Sequence, residues 1–263
     1  MTERGWQRGP PSAHPTGIEE REYHVDGVRW HVREVTGAPA GRTPVVLVQG
    51  LVISGAFHVP LMQRLAGEFD LYAPDLPGFG LSEKPSPPLS LSEQVDSLAA
   101  WMDVAGLRSA ALLGTSYGAQ VVADFAARHP ERATRAILVS PVLEPAARPL
   151  PALAMRWSIE AAREIHMMPL LARDCLLAGP RRSVGLIREM RRHRMEDVAP
   201  TIPVPTLVVR GSRDPIVSEA WVQEIADLLP FGRLIVIPGA AHPINFTQPL
   251  ELSRVLRPFL LEG

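Results

Sequence analysis

Short apolar runs recur along the chain with almost no polar interruption: Val45-Val46-Leu47-Val48, Ala110-Ala111-Leu112-Leu113, Ala136-Ile137-Leu138-Val139, Thr206-Leu207-Val208-Val209 and Leu234-Ile235-Val236-Ile237. Hydrophobicity that is continuous over four residues, rather than alternating, predicts strands covered on both faces, as in a parallel sheet between layers of helices. Another strand is expected near Leu71 to Ala73. Ahead of these, Tyr23-His24-Val25-Asp26-Gly27-Val28-Arg29-Trp30 reads as a hairpin turning at Asp26-Gly27. Helices are expected near Phe57 to Ala66, Leu91 to Ala105, Ser116 to Arg128, Ser218 to Leu229 and Pro249 to Leu260, each following a strand or its loop. An antiparallel start therefore feeds a parallel α/β sheet with right-handed crossovers.

One stretch breaks the rhythm. From Val142 to Ala199 no strand-like run occurs, and ten arginines stand against seven acidic residues. This segment reads as short helices inserted between two strands, a lid over the carboxyl edge of the sheet. The expected organisation is a flexible tail over 1–18, a core over 19–141 and 200–263, and a helical cap over 142–199. The 27 prolines, roughly twice the average share of about 5%, agree with these limits. Pro141, Pro145, Pro149 and Pro151 stand where the chain leaves the sheet, and Pro200, Pro203 and Pro205 where it returns.

The balance of 27 basic and 28 acidic residues in 263 gives a net charge of −1. No whole-chain field is present to hold nucleic acid or an anionic membrane. Only Lys84 among the basic residues is a lysine, which leaves arginine as the cation for any acidic substrate. The single cysteine, Cys175, excludes an intramolecular disulfide and a thiolate metal site, and it fits a reducing, cytoplasmic setting. Met1 to Gly17 is polar and lacks the apolar stretch of a signal peptide. The uncharged run from Thr43 to Gln63 is broken by Pro44, Gln49, Gly50, Ser54, Gly55, His58 and Pro60, which favours strand, loop and helix start over a membrane span. The expected partner is a small molecule bound by a monomer or homodimer, with no nucleic acid, membrane, metal or cofactor.

Candidate chemistry begins directly after the strand Ala110 to Leu113, with Gly114-Thr115-Ser116-Tyr117-Gly118. Gly-x-Ser-x-Gly between a strand and a helix forms a sharp elbow that presents the serine hydroxyl at the sheet edge. A serine needs an adjacent base, usually a histidine oriented by a carboxylate. His242, in Gly239-Ala240-Ala241-His242-Pro243, lies in the loop past the last strand. His24, His31, His129, His166 and His193 are read as surface or packing residues, and His58 as a weaker candidate near the first parallel strand's loop. Asp214, in Arg210-Gly211-Ser212-Arg213-Asp214-Pro215, follows the strand ending at Val209 and sits at the edge where open α/β sheets place ligands. Glu144 is the alternative acid. Two backbone amides are candidates to hold a developing oxyanion, those of Tyr117 and Leu51. Asp75, in Asp75-Leu76-Pro77-Gly78-Phe79-Gly80-Leu81-Ser82, is read as tying down a glycine-rich turn.

These segments, in this order and spacing from about Glu19 to Leu261, resemble the α/β-hydrolase superfamily. The likeness is to its capped single-domain members: carboxylesterases, lactonases, carbon–carbon bond hydrolases and cofactor-free haloperoxidases. The resemblance implies a mostly parallel eight-stranded sheet flanked by helices, with a small helical cap. It implies Ser116 as nucleophile, His242 as base and then acid, Asp214 as its orienter, and Leu51 and Tyr117 as oxyanion amides. Gln49 departs from the histidine usual before the glycine. Haloalkane dehalogenases and epoxide hydrolases place aspartate at the elbow, so serine points instead to attack on a carbonyl.

The resulting expectation is a cofactor-free hydrolase of small to medium carboxylic esters, acting through an acyl-enzyme. A hydrolase of diketone acids, a lactonase and a non-catalytic ligand receptor are the alternatives. Trp157, Met155, Met167, Met168, Leu170 and Leu171 are candidates to line an acyl pocket. Arg181, Arg182, Arg188, Arg191, Arg192 and Arg194 are read as a solvated helix face, with capture of a substrate carboxylate as the other reading.

Overall fold

A computed structural model describes the backbone of residues 12–13 and 17–262. The strands are β1 (Ser12–Ala13), β2 (Glu19–Val25), β3 (Val28–Val35), β4 (Val45–Val48), β5 (Leu71–Pro74), β6 (Ala110–Thr115), β7 (Ala133–Val139), β8 (Thr206–Gly211) and β9 (Gly232–Ile237). They form one sheet in the order β1-β2-β3-β5-β4-β6-β7-β8-β9. From β5 to β9 every pairing is parallel, whereas β3 runs antiparallel to both β2 and β5. Eight strands thus make the expected mostly parallel sheet. The two-residue β1 adds a short ladder, Ser12 and Ala13 pairing with Glu20 and Glu19, inside the stretch read as a flexible tail. The rest of that tail up to residue 16 lies outside the described residues.

The core helices are α1 (Val59–Leu65), α2 (Leu91–Ala105), α3 (Tyr117–Arg128), α8 (Glu219–Leu228), α9 (Ile244–Thr247) and α10 (Pro249–Leu261). Between β7 and β8 the chain forms α4 (Leu150–Arg163), α5 (Met168–Ala178), α6 (Pro180–Arg192) and α7 (Met195–Val198).

The apolar runs become strands because both of their faces are covered. Along β4, Val46 and Val48 pack into one core with residues of α2, α3 and α8, while Val45 and Leu47 pack into the other with residues of α1 and α10. The last run behaves differently. β9 closes the sheet, so its burial alternates and Ile235 remains 37% exposed. The hairpin turns at Asp26 and Gly27, both at positive φ (50° and 79°), as a tight two-residue turn requires. Helix α2 starts with a capping box in which Ser90 Oγ accepts from the Glu93 amide and the Glu93 carboxylate accepts from the Ser90 amide. Among the described residues no helix is long and apolar enough to cross a membrane.

Candidate active site

Ser116 joins β6 to α3 with φ 57° and ψ −116°, a strained backbone for a residue with a side chain. Its neighbours allow the bend. A β-carbon on Gly114 would overlap the Gly118 carbonyl, and one on Gly118 would overlap the Val48 carbonyl, so only glycine lets α3 approach β6 and β4 this closely. Thr115 and Tyr117 on either side are buried, while Ser116 stays partly open.

His242 sits in the loop between β9 and α9, and its Nδ1 lies 2.8 Å from Asp214 Oδ2. Asp214 Oδ1 accepts the amides of Ile216 (2.8 Å) and Val217 (3.1 Å), so the carboxylate is locked in the β8–α8 turn while its other oxygen faces the imidazole. Helix α8 takes its own cap from Ser218, whose side chain accepts from the Trp221 amide. Burial penalises both charges. For His242 the charge and hydrogen bond of Asp214, with a contribution from Glu160, outweigh that penalty and raise it above its ordinary value. For Asp214 the same partner outweighs burial and holds it below the usual carboxylate range. The neutral imidazole beside a carboxylate carries its proton on Nδ1, which leaves Nε2 as the basic nitrogen.

Ser116 and His242 line one cavity of about 520 Å³. The sheet side adds Gly50, Leu51, Val52, Ile53 and Phe57 from the loop after β4, with Ile216 and Asn245. The insertion adds two groups of residues: Ala154, Trp157, Ser158, Glu160, Ala161 and Glu164 on or next to α4, and Met167, Met168, Leu171 and Cys175 on or next to α5. Neither the amide of Leu51 nor that of Tyr117 bonds to an acceptor among the described residues. With its amide oriented to satisfy both ends, Gln49 donates to the Pro74 carbonyl at 2.9 Å and accepts from the Leu76 amide at 3.0 Å. The residue that departs from the usual histidine thereby ties the β4 loop to the β5 loop.

Several expected lining residues are placed elsewhere. Met155 is 59% exposed, and neither it nor Leu170 lines the cavity, because the helical phase that turns Trp157 inward turns Met155 out. Glu144, the alternative acid, accepts from the Ser218 amide and pairs with Arg156. His58 is fully buried beside Asn245 and does not line the cavity. His31 contacts Asp75, and His193 contacts Asp124 at 2.6 Å.

Four of the six arginines singled out in the insertion hold protein groups. Arg182 donates to the Pro85 carbonyl (2.7 Å) and Arg191 to the Arg148 carbonyl (2.6 Å), while Arg192 pairs with Glu189 and Arg194 with Asp197. None of the six arginines singled out lines the cavity. Glu160 and Glu164 do line it and were not expected. Helical spacing from Trp157 carries the signal, since positions i+3, i+4 and i+7 share its face. Among the described residues no cluster of three or more potential metal ligands is present.

Along the sequence the chain is 26% identical to the 2-(acetamidomethylene)succinate hydrolase of Mesorhizobium japonicum, covering 91% of this chain and 94% of that protein. It is 25% identical to a carboxylesterase of Bacillus subtilis, covering 94% and 90%. Among solved structures it overlays a membrane phospholipase A with a TM-score of 0.80 at 21% identity, covering 93% of this chain and 86% of that one, a likeness of fold. The profile of the alpha/beta hydrolase family matches residues 45–255. With the serine elbow, the mostly parallel sheet and this match together, the chain belongs to the alpha/beta hydrolase family.

Proposed function

We propose that this chain is a serine hydrolase that cleaves an uncharged carboxylic ester of small to medium size through an acyl-enzyme. The observation that carries the reading is the Asp214–His242 pair opening onto the same cavity as the Ser116 elbow. In the first half-reaction Ser116 Oγ attacks the ester carbonyl carbon as its proton passes to His242 Nε2. The carbonyl oxygen takes the negative charge and is held by the amides of Leu51 and Tyr117, each donor contributing about 3–4 kcal/mol. The intermediate collapses, the C–O bond to the alcohol breaks, and His242 returns the proton to the departing oxygen. In the second half-reaction water gives a proton to His242 and attacks the acyl carbon; the C–O bond to Ser116 then breaks, His242 returns the proton to Ser116 Oγ, and the acid is released.

Electrostatics of the cavity favour an uncharged substrate over a diketone acid. Apart from His242, its charged lining side chains among the described residues are Glu160 and Glu164, and no described arginine or lysine lines it. A carboxylate entering an apolar cavity beside two acids meets repulsion with no cation to offset its desolvation. The relative that acts on a succinate derivative therefore supports the hydrolase chemistry and not the substrate. The trough of Trp157, Met167, Met168 and Leu171 suits an acyl chain, and a volume of about 520 Å³ accommodates a medium one.

A fluorophosphonate probe followed by peptide mapping tests the nucleophile. Modification of Ser116 is expected, and a folded protein left unmodified there overturns the enzyme reading in favour of a ligand receptor. Para-nitrophenyl esters of graded chain length, set against a vinylogous diketone acid, test the substrate class. Turnover of the diketone acid far above every ester overturns the esterase reading.

A further inference from the structure

One pocket group takes no part in the chemistry just described. Glu160, on α4, is 9% exposed, and neither carboxyl oxygen has a hydrogen-bond partner among the described residues. A buried acid in that condition is costly unless something nearby compensates.

The groups that face it come from three segments. Glu164 lies one turn further along the insertion, Asp214 comes from the β8–α8 loop, and His242 brings both its ring and its backbone amide from the β9–α9 loop. The two carboxylates repel Glu160, and His242 alone of these attracts it. The arginines nearest in sequence on α4 are engaged with other groups: Arg156 with Glu144 and the Ile216 carbonyl, Arg163 with the Arg213 carbonyl. Both Glu160 oxygens are also shut off from solvent. Solvent therefore does not screen the carboxyl from His242, with which it shares the cavity wall.

We propose that Glu160 is a positioning residue for His242, a second carboxyl supplied by the insertion that faces the histidine loop and stabilises the imidazolium formed during acyl transfer. The proposal rests on the reading of His242 as the general base. While His242 is neutral, Glu160 has no charge partner. When His242 accepts the proton of Ser116, the two become an ion pair in a water-poor site. That interaction is stronger in the transition state than in the ground state, which is what lowers a barrier. Burial and its acidic neighbours push the Glu160 carboxyl above the usual carboxylate range, His242 opposes that push, and Glu160 in turn helps raise His242.

The test is Glu160→Gln, which keeps the shape and removes the charge. In a Ser116→Ala background, NMR titration of the His242 ring is expected to give a pKa lower by about 0.5–1 unit than with Glu160 present. In the active protein the acid limb of kcat/KM moves down by the same amount and the plateau kcat falls roughly 3–10-fold, one unit corresponding to a factor of ten. KM for an uncharged ester stays within about twofold. Glu160→Asp, which keeps the charge, restores much of the limb.

An unmoved His242 titration overturns the proposal, as does a rise in KM at constant kcat, the mark of a pocket wall. Should the variant not fold, the wild-type protein answers the same question. The Glu160 carboxyl resonance must respond as His242 titrates, and independent titration overturns the proposal. If the fluorophosphonate leaves Ser116 unmodified, the serine-hydrolase reading fails. If Ser116 is modified and His242 ignores Glu160→Gln, only the role of Glu160 fails.

Discussion

Asp75 Oδ1 accepts the amide of Gly55 at 2.6 Å, so the turn after β5 and the loop that carries Leu51 share one anchor. The rest of the carboxylate is equally occupied. Arg33 donates to Oδ1 at 3.1 Å, the Leu81 amide donates to Oδ2 at 2.9 Å, and His31 Nδ1 lies 3.2 Å from Oδ2. Burial disfavours the charge, but His31, Arg33 and the Leu81 amide outweigh it and hold Asp75 below the usual carboxylate range. Gly80 completes the turn at φ 45°, where a β-carbon would run into this carboxylate.

Asp75→Ala should therefore cost about 3–5 kcal/mol, because it leaves the buried Arg33 guanidinium with only the part-exposed Glu20 at 3.4 Å and takes the acceptor from the Gly55 and Leu81 amides. Urea unfolding at neutral pH measures it. A loss below about 1 kcal/mol would mean the anchor is replaced by water.

With His242 as the proposed base, the acid limb of kcat/KM should lie above 6.5, since the base acts only when neutral and Asp214 holds its proton more firmly than in a free histidine. Activity is full above the raised value and falls as pH drops through it. Asp214→Asn removes the charge, moves the limb down and lowers kcat by about 10⁴-fold. A pH–rate series on both proteins checks the two outcomes together, and a limb that stays put after Asp214→Asn contradicts the pairing.

Two glycine-to-alanine changes should act with opposite signs. Gly118→Ala drives a methyl group into the backbone carbonyls of Val48 and Gln49 and should destabilise by about 2–3 kcal/mol. Gly185→Ala, inside α6 with nothing within 4 Å of the new carbon, should stabilise by about 0.5–1 kcal/mol. Thermal unfolding of the pair is the measurement; equal shifts would show that space at the elbow is not the limiting factor.

His58 should make the fold acid-labile. Burial lowers it from 6.5 to about 4, against a hydrogen bond with Val48 and the charge of Asp75, so it stays neutral in the fold while the unfolded chain binds a proton below 6.5. Its contribution to stability is complete above pH 6.5 and is lost as pH falls toward 4, about 3 kcal/mol in all. His58→Gln should lose about that much less stability than wild type between pH 7 and pH 4 in urea titrations. Parallel losses in the two proteins would assign the acid sensitivity elsewhere.

The elements that position Ser116, Asp214 and His242 are readable from sequence because each residue directly follows an apolar run, and a parallel sheet brings the carboxyl ends of such runs to one edge. The same logic does not reach the insertion. Its helices share no sheet to fix their phase, so Met155 and Trp157 look alike in sequence and face opposite ways in the fold. Glu160 escapes notice for the related reason that its environment is assembled from loops far away in the chain. The four-residue α9 after His242 is too short to show a period, and β9 reads as a central strand because its apolar run says nothing about a missing neighbour on one side.

Asp174 of α5 accepts the amide of Ser54 at 2.7 Å across 120 positions of sequence, and so ties the insertion to the loop that carries Leu51. The insertion is therefore a poor candidate for wholesale exchange between hydrolases. Grafted onto a core whose loop offers no amide to Asp174, it would bring its own cavity wall and leave a buried acid without its donor. Retuning the proposed esterase for a new ester is better done one position at a time on the inward faces at Trp157, Ala161 and Leu171, with Asp174 kept in place.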